Sequence, residues 1–265
     1  MLLVPLGING FFPAHGRHTA CYLLAAGGRT AILLDAGTGA ARLAEEPVKR
    51  RIAGCEELHI LLSHYHLDHV SGLFYLAGVW PRKRVIIYAP GHPLVDANAA
   101  EAVTRLCGAP YFPRSFAGLP VEVVDVTGAE VMVGGHRVRF RAQRHPGGSV
   151  GIRIGDVLCY VTDTAPDPAT AAFARGCRLL LHEVWFTDEE MERYGGPHGV
   201  AAQSGHSWAG AVAEIAGQAE TASLAPIHLA PWRSPGEAAS LIGQMEKKTG
   251  LPVLMLEEGK EVPLG

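Results

Sequence analysis

The segment Ser63-His64-Tyr65-His66-Leu67-Asp68-His69 holds four potential metal ligands within six residues. It closes an apolar run that reads as a strand over 58–63. Residues two apart in an extended chain point the same way, so His64 and His66 share a side. Asp68 and His69 fall where the chain turns into the next helix, and so face a neighbouring point. One short loop can therefore offer two ligands to each of two metal ions. Histidine is the commonest metal ligand and the usual acid or base near neutral pH. The chain carries 13 histidines against 23 lysines and arginines, and they are clustered.

The H-x-H-x-D-H spacing resembles the signature of the metallo-β-lactamase superfamily, and the likeness runs from about Leu2 to Trp232. His145 in RHPGGSVGIRI resembles the third ligand motif, Asp163 in YVTDT the carboxylate shared by both metals, and His228 in LAPIHLAPW the last ligand. The resemblance implies one ion on His64, His66, His145 and Asp163. It implies a second on Asp68, His69, Asp163 and His228, with Asp68 counted as catalytic as well as a ligand. Asp35, at the end of LLDAG, resembles the buried aspartate that braces the ligand loop, and such a carboxylate fixes ligand orientation. Imidazole with carboxylate and no thiolate suits two Zn²⁺ per chain and admits Mn²⁺ or Fe²⁺. Paired ions about 3.5–4 Å apart serve phosphate-ester hydrolysis, with a hydroxide held between them as the nucleophile.

Three features sort the branches of the superfamily. Asp163 is not Cys, unlike the thiolate-containing lactamases. His66 is not Glu, unlike the di-iron oxygen-reducing branch. Leu181-His182-Glu183-Val184-Trp185-Phe186 and Gly205-His206-Ser207 resemble two motifs of the tRNase Z branch. That likeness makes His206 the general acid and Glu183 its orienting partner, since a carboxylate can hold a histidine charged for proton donation. His182 reads as a structural residue near a strand end. One departure stands out. The tRNA-gripping arm of short tRNase Z enzymes lies between the third ligand motif and the bridging Asp, and here two hairpin strands fill that interval. The expected function is a phosphodiesterase on a small phosphodiester or short RNA. A lactone, thioester or β-lactam hydrolase on the same fold is the alternative.

The elements that must position these residues follow from periodicity. Strands read over 2–6, 21–25, 30–35, 58–63 and 85–88, then almost continuously from 120 to 161, with Gly134-Gly135 and Gly155-Asp156 as hairpin turns. Helices read over 39–52, 66–77, 93–107, 168–175, 187–194, 208–219 and 235–248, and further strands over 178–184, 222–228 and 252–256. Two sheets with helices outside both satisfy this order, a four-layer αββα sandwich of α/β (α+β) class. The whole chain, 1–265, reads as a single domain of this kind.

Composition sets the bounds. The 265 residues are 48% hydrophobic and 18% charged, which is globular, and no apolar run is long enough to span a membrane. The net charge of −3 gives no overall pull toward nucleic acid. Arg137, Arg139 and Arg141 alternate on one strand face and Arg82-Lys83-Arg84 is compact; both read as solvated surface. The N-terminus lacks a signal-peptide pattern, and Cys21, Cys55, Cys107, Cys159 and Cys177 form no C-x-x-C pair. The expected setting is cytoplasmic, without a membrane partner, and a homodimer is admitted. His15 and His18, in an N-terminal loop, and His198, in the Gly195–Gly199 stretch, read as surface histidines within range of the site mouth.

Overall fold

The computed structural model describes residues 1–25, 28–80, 83–112, 120–196, 199 and 203–265. Strands β1 (Leu2–Gly7), β2 (Cys21–Ala25), β3 (Thr30–Leu34), β4 (Glu57–Leu61), β5 (Arg84–Pro90) and β6 (Val121–Val126) join a short last strand, β13 (Val262–Pro263), in one sheet. Strands β7 (Glu130–Val133), β8 (His136–Gln143), β9 (Ser149–Ile154), β10 (Leu158–Val161), β11 (Leu179–Glu183) and β12 (Ser223–Ile227) form the other. The orders are β13-β1-β2-β3-β4-β5-β6 and β12-β11-β10-β9-β8-β7. From β3 to β6 and from β10 to β12 neighbours run parallel; the other pairs are antiparallel.

Alternation along the strands builds the layers. Successive strand residues face opposite sides, so one run feeds two cores. In β3, Ile32 and Leu34 pack between the sheets with Tyr22, Ile152 and Tyr160. Ala31 and Leu33 face outward, where α1 (Glu46–Arg51) and α4 (Ala99–Leu106) contribute Val48 and Val103. Short helices α2 (Leu67–Val70) and α3 (Leu76–Val79) belong to this side. Against the second sheet lie α5 (Ala169–Ala174), α7 (Ala209–Ala219) and α8 (Pro235–Thr249), through Ala174, Val212, Ile215, Leu241 and Met245; α6 (Asp188–Arg193) precedes α7. This is the expected helix–sheet–sheet–helix order.

Local differences have local causes. The helix expected over 39–52 is a 3-10 turn, Thr38–Ala44, followed by α1. Thr19 takes its first donors, Thr38 N to Oγ1 (2.8 Å) and Gly39 N to the carbonyl (3.2 Å). The 66–77 helix is divided by a 3-10 turn, Ser71–Tyr75, where Gly72 N–H is diverted to the Ala36 carbonyl at 2.6 Å. The 93–107 helix begins only at α4, where Asn98 caps Glu101 N at 2.9 Å. The 252–256 strand is reduced to one bridge, Leu224 to Val253, beside Pro252. The hairpins stand: Gly134 (φ 53°) and Gly135 (φ 84°) both take the positive angles a tight two-residue turn needs.

Candidate active site

The site is assembled from strand ends of both sheets. Asp35 follows β3, His64 to His69 follow β4, His145 follows β8, Asp163 follows β10, Glu183 closes β11 and His228 follows β12. Open α/β sheets bind ligands outside the carboxyl ends of their parallel strands. Three of these residues turn abruptly out of their strands: Asp35 (φ 55°), Asp163 (φ 48°) and His228 (φ 50°) are left-handed. Such a conformation costs about 1–3 kcal/mol for a residue with a side chain and persists only where its surroundings fix it.

The side chains converge in two main groups. Ligand atoms of His64, His66, His145 and Asp163 lie within 4.8 Å of one another, as do those of Asp68, His69 and His228. A third combination, Asp163 with His206 and His228, lies within the same limit. Asp163 joins the groups. Its Oδ1 is 3.5 Å from His145 Nε2 and 3.9 Å from His64 Nε2. Its Oδ2 is 3.0 Å from His69 Nε2 and 3.2 Å from His228 Nε2. Asp68 Oδ2 lies 3.4 Å from His69 Nε2 and 3.2 Å from His228 Nε2. His66 approaches through the other ring nitrogen, Nδ1, at 3.2 Å from His145 Nε2.

A surrounding set of hydrogen bonds aims the rings. His69 Nδ1 donates to Asp35 Oδ2 (2.7 Å), His64 Nδ1 to Ser63 Oγ (3.0 Å) and His145 Nδ1 to the Gly205 carbonyl (3.0 Å). For His64 and His145 the bond leaves the Nε2 lone pair turned inward, and for His69 it turns Nε2 toward Asp163 and Asp68. Asp35 also accepts from Ser63 N, Ser63 Oγ and Tyr160 Oη at 2.6–2.7 Å. On the open side, the Phe11 backbone N–H donates to Asp68 Oδ2 at 2.7 Å.

These residues fit divalent cations. His64 Nε2 is buried without a hydrogen-bond partner, which a cation would supply. Burial lowers the pKa values of His64, His66 and His145, favouring the neutral form that ligates. Burial also opposes charge on His69, but Asp163, Asp68 and Asp35 outweigh it and raise that residue well above the ordinary value. Against burial, His69 and His228 hold Asp68 and Asp163 well below the usual carboxylate range. A pocket of buried carboxylates and inward ring nitrogens suits a divalent ion, which would displace the proton on His69 Nε2.

Beside both groups stands His206, with Nδ1 at 3.0 and 3.3 Å from the two oxygens of the fully buried Glu183. Burial opposes its charge, but Glu183 and the nearby aspartates outweigh this and push its pKa up to about 9. Its ring stacks on Trp185 (4.7 Å between centroids, 16°) and lies 5.2 Å from His145 and 5.6 Å from His228. Glu183 Oε1 also accepts from Thr164 N at 2.6 Å, tying the pair to the loop that carries Asp163.

A sequence profile described as the Beta-lactamase superfamily domain matches residues 30–229, from β3 through β12 and the candidate ligands. The chain belongs to the metallo-β-lactamase superfamily. It is a metal-dependent hydrolase of that superfamily. Ribonuclease Z of Natronomonas pharaonis is 23% identical over an alignment of 311 positions, gaps included, covering 98% of this chain and 96% of the relative. Ribonuclease Z of Haloferax volcanii is 32% identical over 172 residues, covering 63% and 46%. The fold is shared with the metallo-β-lactamase fold protein YhfI of Bacillus subtilis (TM-score 0.76, 19% identity, 98% of each chain). It is shared too with the short form of human tRNase Z (0.71, 16%, 100% of each).

Other residues read from the sequence lie apart from the candidate ligands. His18 Nδ1 is 3.4 Å from Thr38 Oγ1, and His15 is exposed on its loop. His182 is fully buried, its Nδ1 donating to the Glu183 carbonyl at 2.8 Å. Arg137 pairs with Glu130, Arg141 with Asp167, and Arg84 with Glu57 and Glu122, so these cations serve local surface pairs. Arg82 and His198 lie outside the described residues. Ser63, Tyr160, Trp185 and the Phe11 N–H carry site contacts without having been singled out. Of these, only Ser63 and Trp185 had a signal, by adjoining His64 and Glu183 in the motifs.

Proposed function

We propose that the protein is a phosphodiesterase working with two divalent metal ions, for which zinc suits the ligand set best. The His206–Glu183 pair, set against two ligand groups joined by Asp163, carries this reading. One ion would be held by His64, His66, His145 and Asp163, the other by Asp68, His69, Asp163 and His228. When bound, such ions supply Lewis acidity toward a phosphate oxygen and acidify water enough for it to attack near neutral pH.

The chain's own residues do the rest. Asp35 and Ser63 hold the rings of His69 and His64 with Nε2 directed inward before anything binds, and His69 would give up its Nε2 proton to an ion. With Nδ1 committed to Glu183, His206 keeps Nε2 for the substrate and gives a proton to the departing oxygen. Glu183 steadies the charged ring while that happens. Such donation is worth about 10²–10⁴-fold.

The ribonuclease Z relatives support a phosphodiester or RNA substrate. Between His145 and Asp163 the chain forms the β9–β10 hairpin, with Leu158 opposite Ile154. A small phosphodiester or a short RNA suits an enzyme without an arm there. No helix among the described residues is long and apolar enough to cross a membrane. Metal-analysed protein assayed on bis(p-nitrophenyl) phosphate, a thioester and a lactone tests the proposal. Preference for the phosphodiester is expected; preference for either other substrate would assign the site to a different bond.

A further inference from the structure

Eight large hydrophobic side chains stand exposed among the described residues, and Leu67, Phe11 and Trp232 lie on segments that carry or touch site residues. Leu67, 66% exposed, sits between His66 and Asp68. Phe11, also 66% exposed, is joined to Asp68 by its backbone N–H, and its ring lies 5.3 Å from that of Phe12. Trp232, 56% exposed, packs edge-on at 5.4 Å against Trp185, which stacks on His206. Scattered exposed apolar residues need no explanation, but a cluster rimming a polar site marks binding.

The loop that presents Phe11 is held in place at a cost. Phe11 has φ 63°, a region that bulky side chains avoid. That turn points its N–H at Asp68 and leaves its ring in solvent. Next to it, Gly10 N donates to the Leu229 carbonyl at 3.0 Å, joining the loop to the segment that leads to Trp232. The arginines of these two segments are already committed. Arg17 donates to the Arg233 carbonyl, and Arg233 binds the Trp185 carbonyl (2.9 Å) and Glu190 (2.8 Å). This rim offers ring faces, with its arginines engaged elsewhere.

We propose that Phe11, Phe12 and Trp232 form a stacking platform for an unpaired nucleobase next to the scissile bond. The substrate class is then a nucleotide phosphodiester, as opposed to an alkyl or sugar phosphodiester or a duplex. The platform rests on the phosphodiesterase reading and narrows it. Bases stack on aromatic side chains with little regard to sequence, because every base has a π-face.

Thymidine 5′-(p-nitrophenyl phosphate) and methyl p-nitrophenyl phosphate share a leaving group and differ in the nucleoside. In zinc-loaded protein, Phe11→Leu and Trp232→Leu should lower kcat/KM for the thymidine ester about 5- to 150-fold, the worth of one base stack, mainly through KM. The methyl ester should hardly respond to Trp232→Leu; Phe11 carries the N–H that meets Asp68, so its variant is read by the extra loss on the thymidine ester over the methyl ester. Equal losses on both esters, or none on the thymidine ester, overturn the platform. Phe11→Leu keeps bulk at its turn, and Trp232→Leu carries the test if that loop shifts. A binding measurement needs no turnover. Adenosine 5′-monophosphate should quench tryptophan fluorescence, ribose 5-phosphate should not, and Trp232→Leu should remove the quench; a quench that survives overturns the proposal. Base-dependent quenching without cleavage of either ester would sink the phosphodiesterase reading and keep the platform. Cleavage of both esters without base dependence would do the reverse.

Discussion

Asp35 accepts the Nδ1–H of His69 at 2.7 Å, with both side chains fully withdrawn from solvent. The same carboxylate holds Ser63, whose hydroxyl accepts from His64, so one buried charge orients a nitrogen in each ligand group. Asp35→Asn keeps the shape and removes the charge. Metal affinity should fall about 10–100-fold, as for other partners of metal-binding histidines, measured by competition with a chromophoric chelator. Asp35→Ala should be worse, because several buried donors lose their acceptor. Removing one partner of a buried pair costs about 3–5 kcal/mol, which urea unfolding would register.

Asp163 faces both ligand groups, one oxygen to each. Metal analysis should return about two ions per chain. His64→Ala should lose one ion, and Asp163→Ala should weaken both. Full occupancy in Asp163→Ala would remove it from the shared position. Ligands must be deprotonated to bind, so occupancy should also decline in acid as protons compete for the imidazoles.

His206→Ala should retain the metals and lose about 10²–10⁴-fold in kcat on substrates with alkoxide leaving groups. The loss should be smaller for p-nitrophenolate, which scarcely needs a proton. Glu183→Gln should follow the same pattern, and the double variant should add little, since the two act as a unit. Equal losses across leaving groups would make His206 a binding residue. Loss of metal would make it a ligand, an outcome its position near Asp163 and His228 gives a physical basis.

Gly10 lies so close to His228 that an added Cβ would come within 2.3 Å of the ring. Gly10→Ala should displace His228 and weaken one metal position, although no ligand is changed. Isothermal titration of metal into the stripped variant would show it; unaltered binding would mean that the loop yields instead of the ring.

Much of the site is contiguous or strand-linked, and that part was legible. The run from His64 to His69 concentrates its chemistry in one loop, and His145, Asp163 and His228 each follow a strand readable from its apolar pattern. The supporting contacts were not legible, because they join distant residues. Tyr160 reaches Asp35 across 125 positions. Trp185 lies in the motif around Glu183, yet its stacking on His206 depends on how α7 enters beside β11. The segments 39–52 and 66–77 have helical composition, but Thr19 and Ala36 capture donors that a continuous helix would need. Phe11 carried no signal in the sequence, because its left-handed backbone is set by contacts of its loop with Asp68 and Leu229, which come much later in the chain.

Neither sheet owns a complete candidate ligand group: His64, His66, Asp68 and His69 extend from the first, and His145, Asp163 and His228 from the second. An ion in either position would act as a rivet through the sandwich, gripping both leaves at their open margin. Unfolding would then have to eject it, and at a thousandfold excess over Kd one such ion is worth about 4 kcal/mol. The melting temperature of the whole chain thus becomes a gauge of metal supply. Metal scarcity would shorten the protein's lifetime as well as silence it, since the unfolded fraction is what proteases clear.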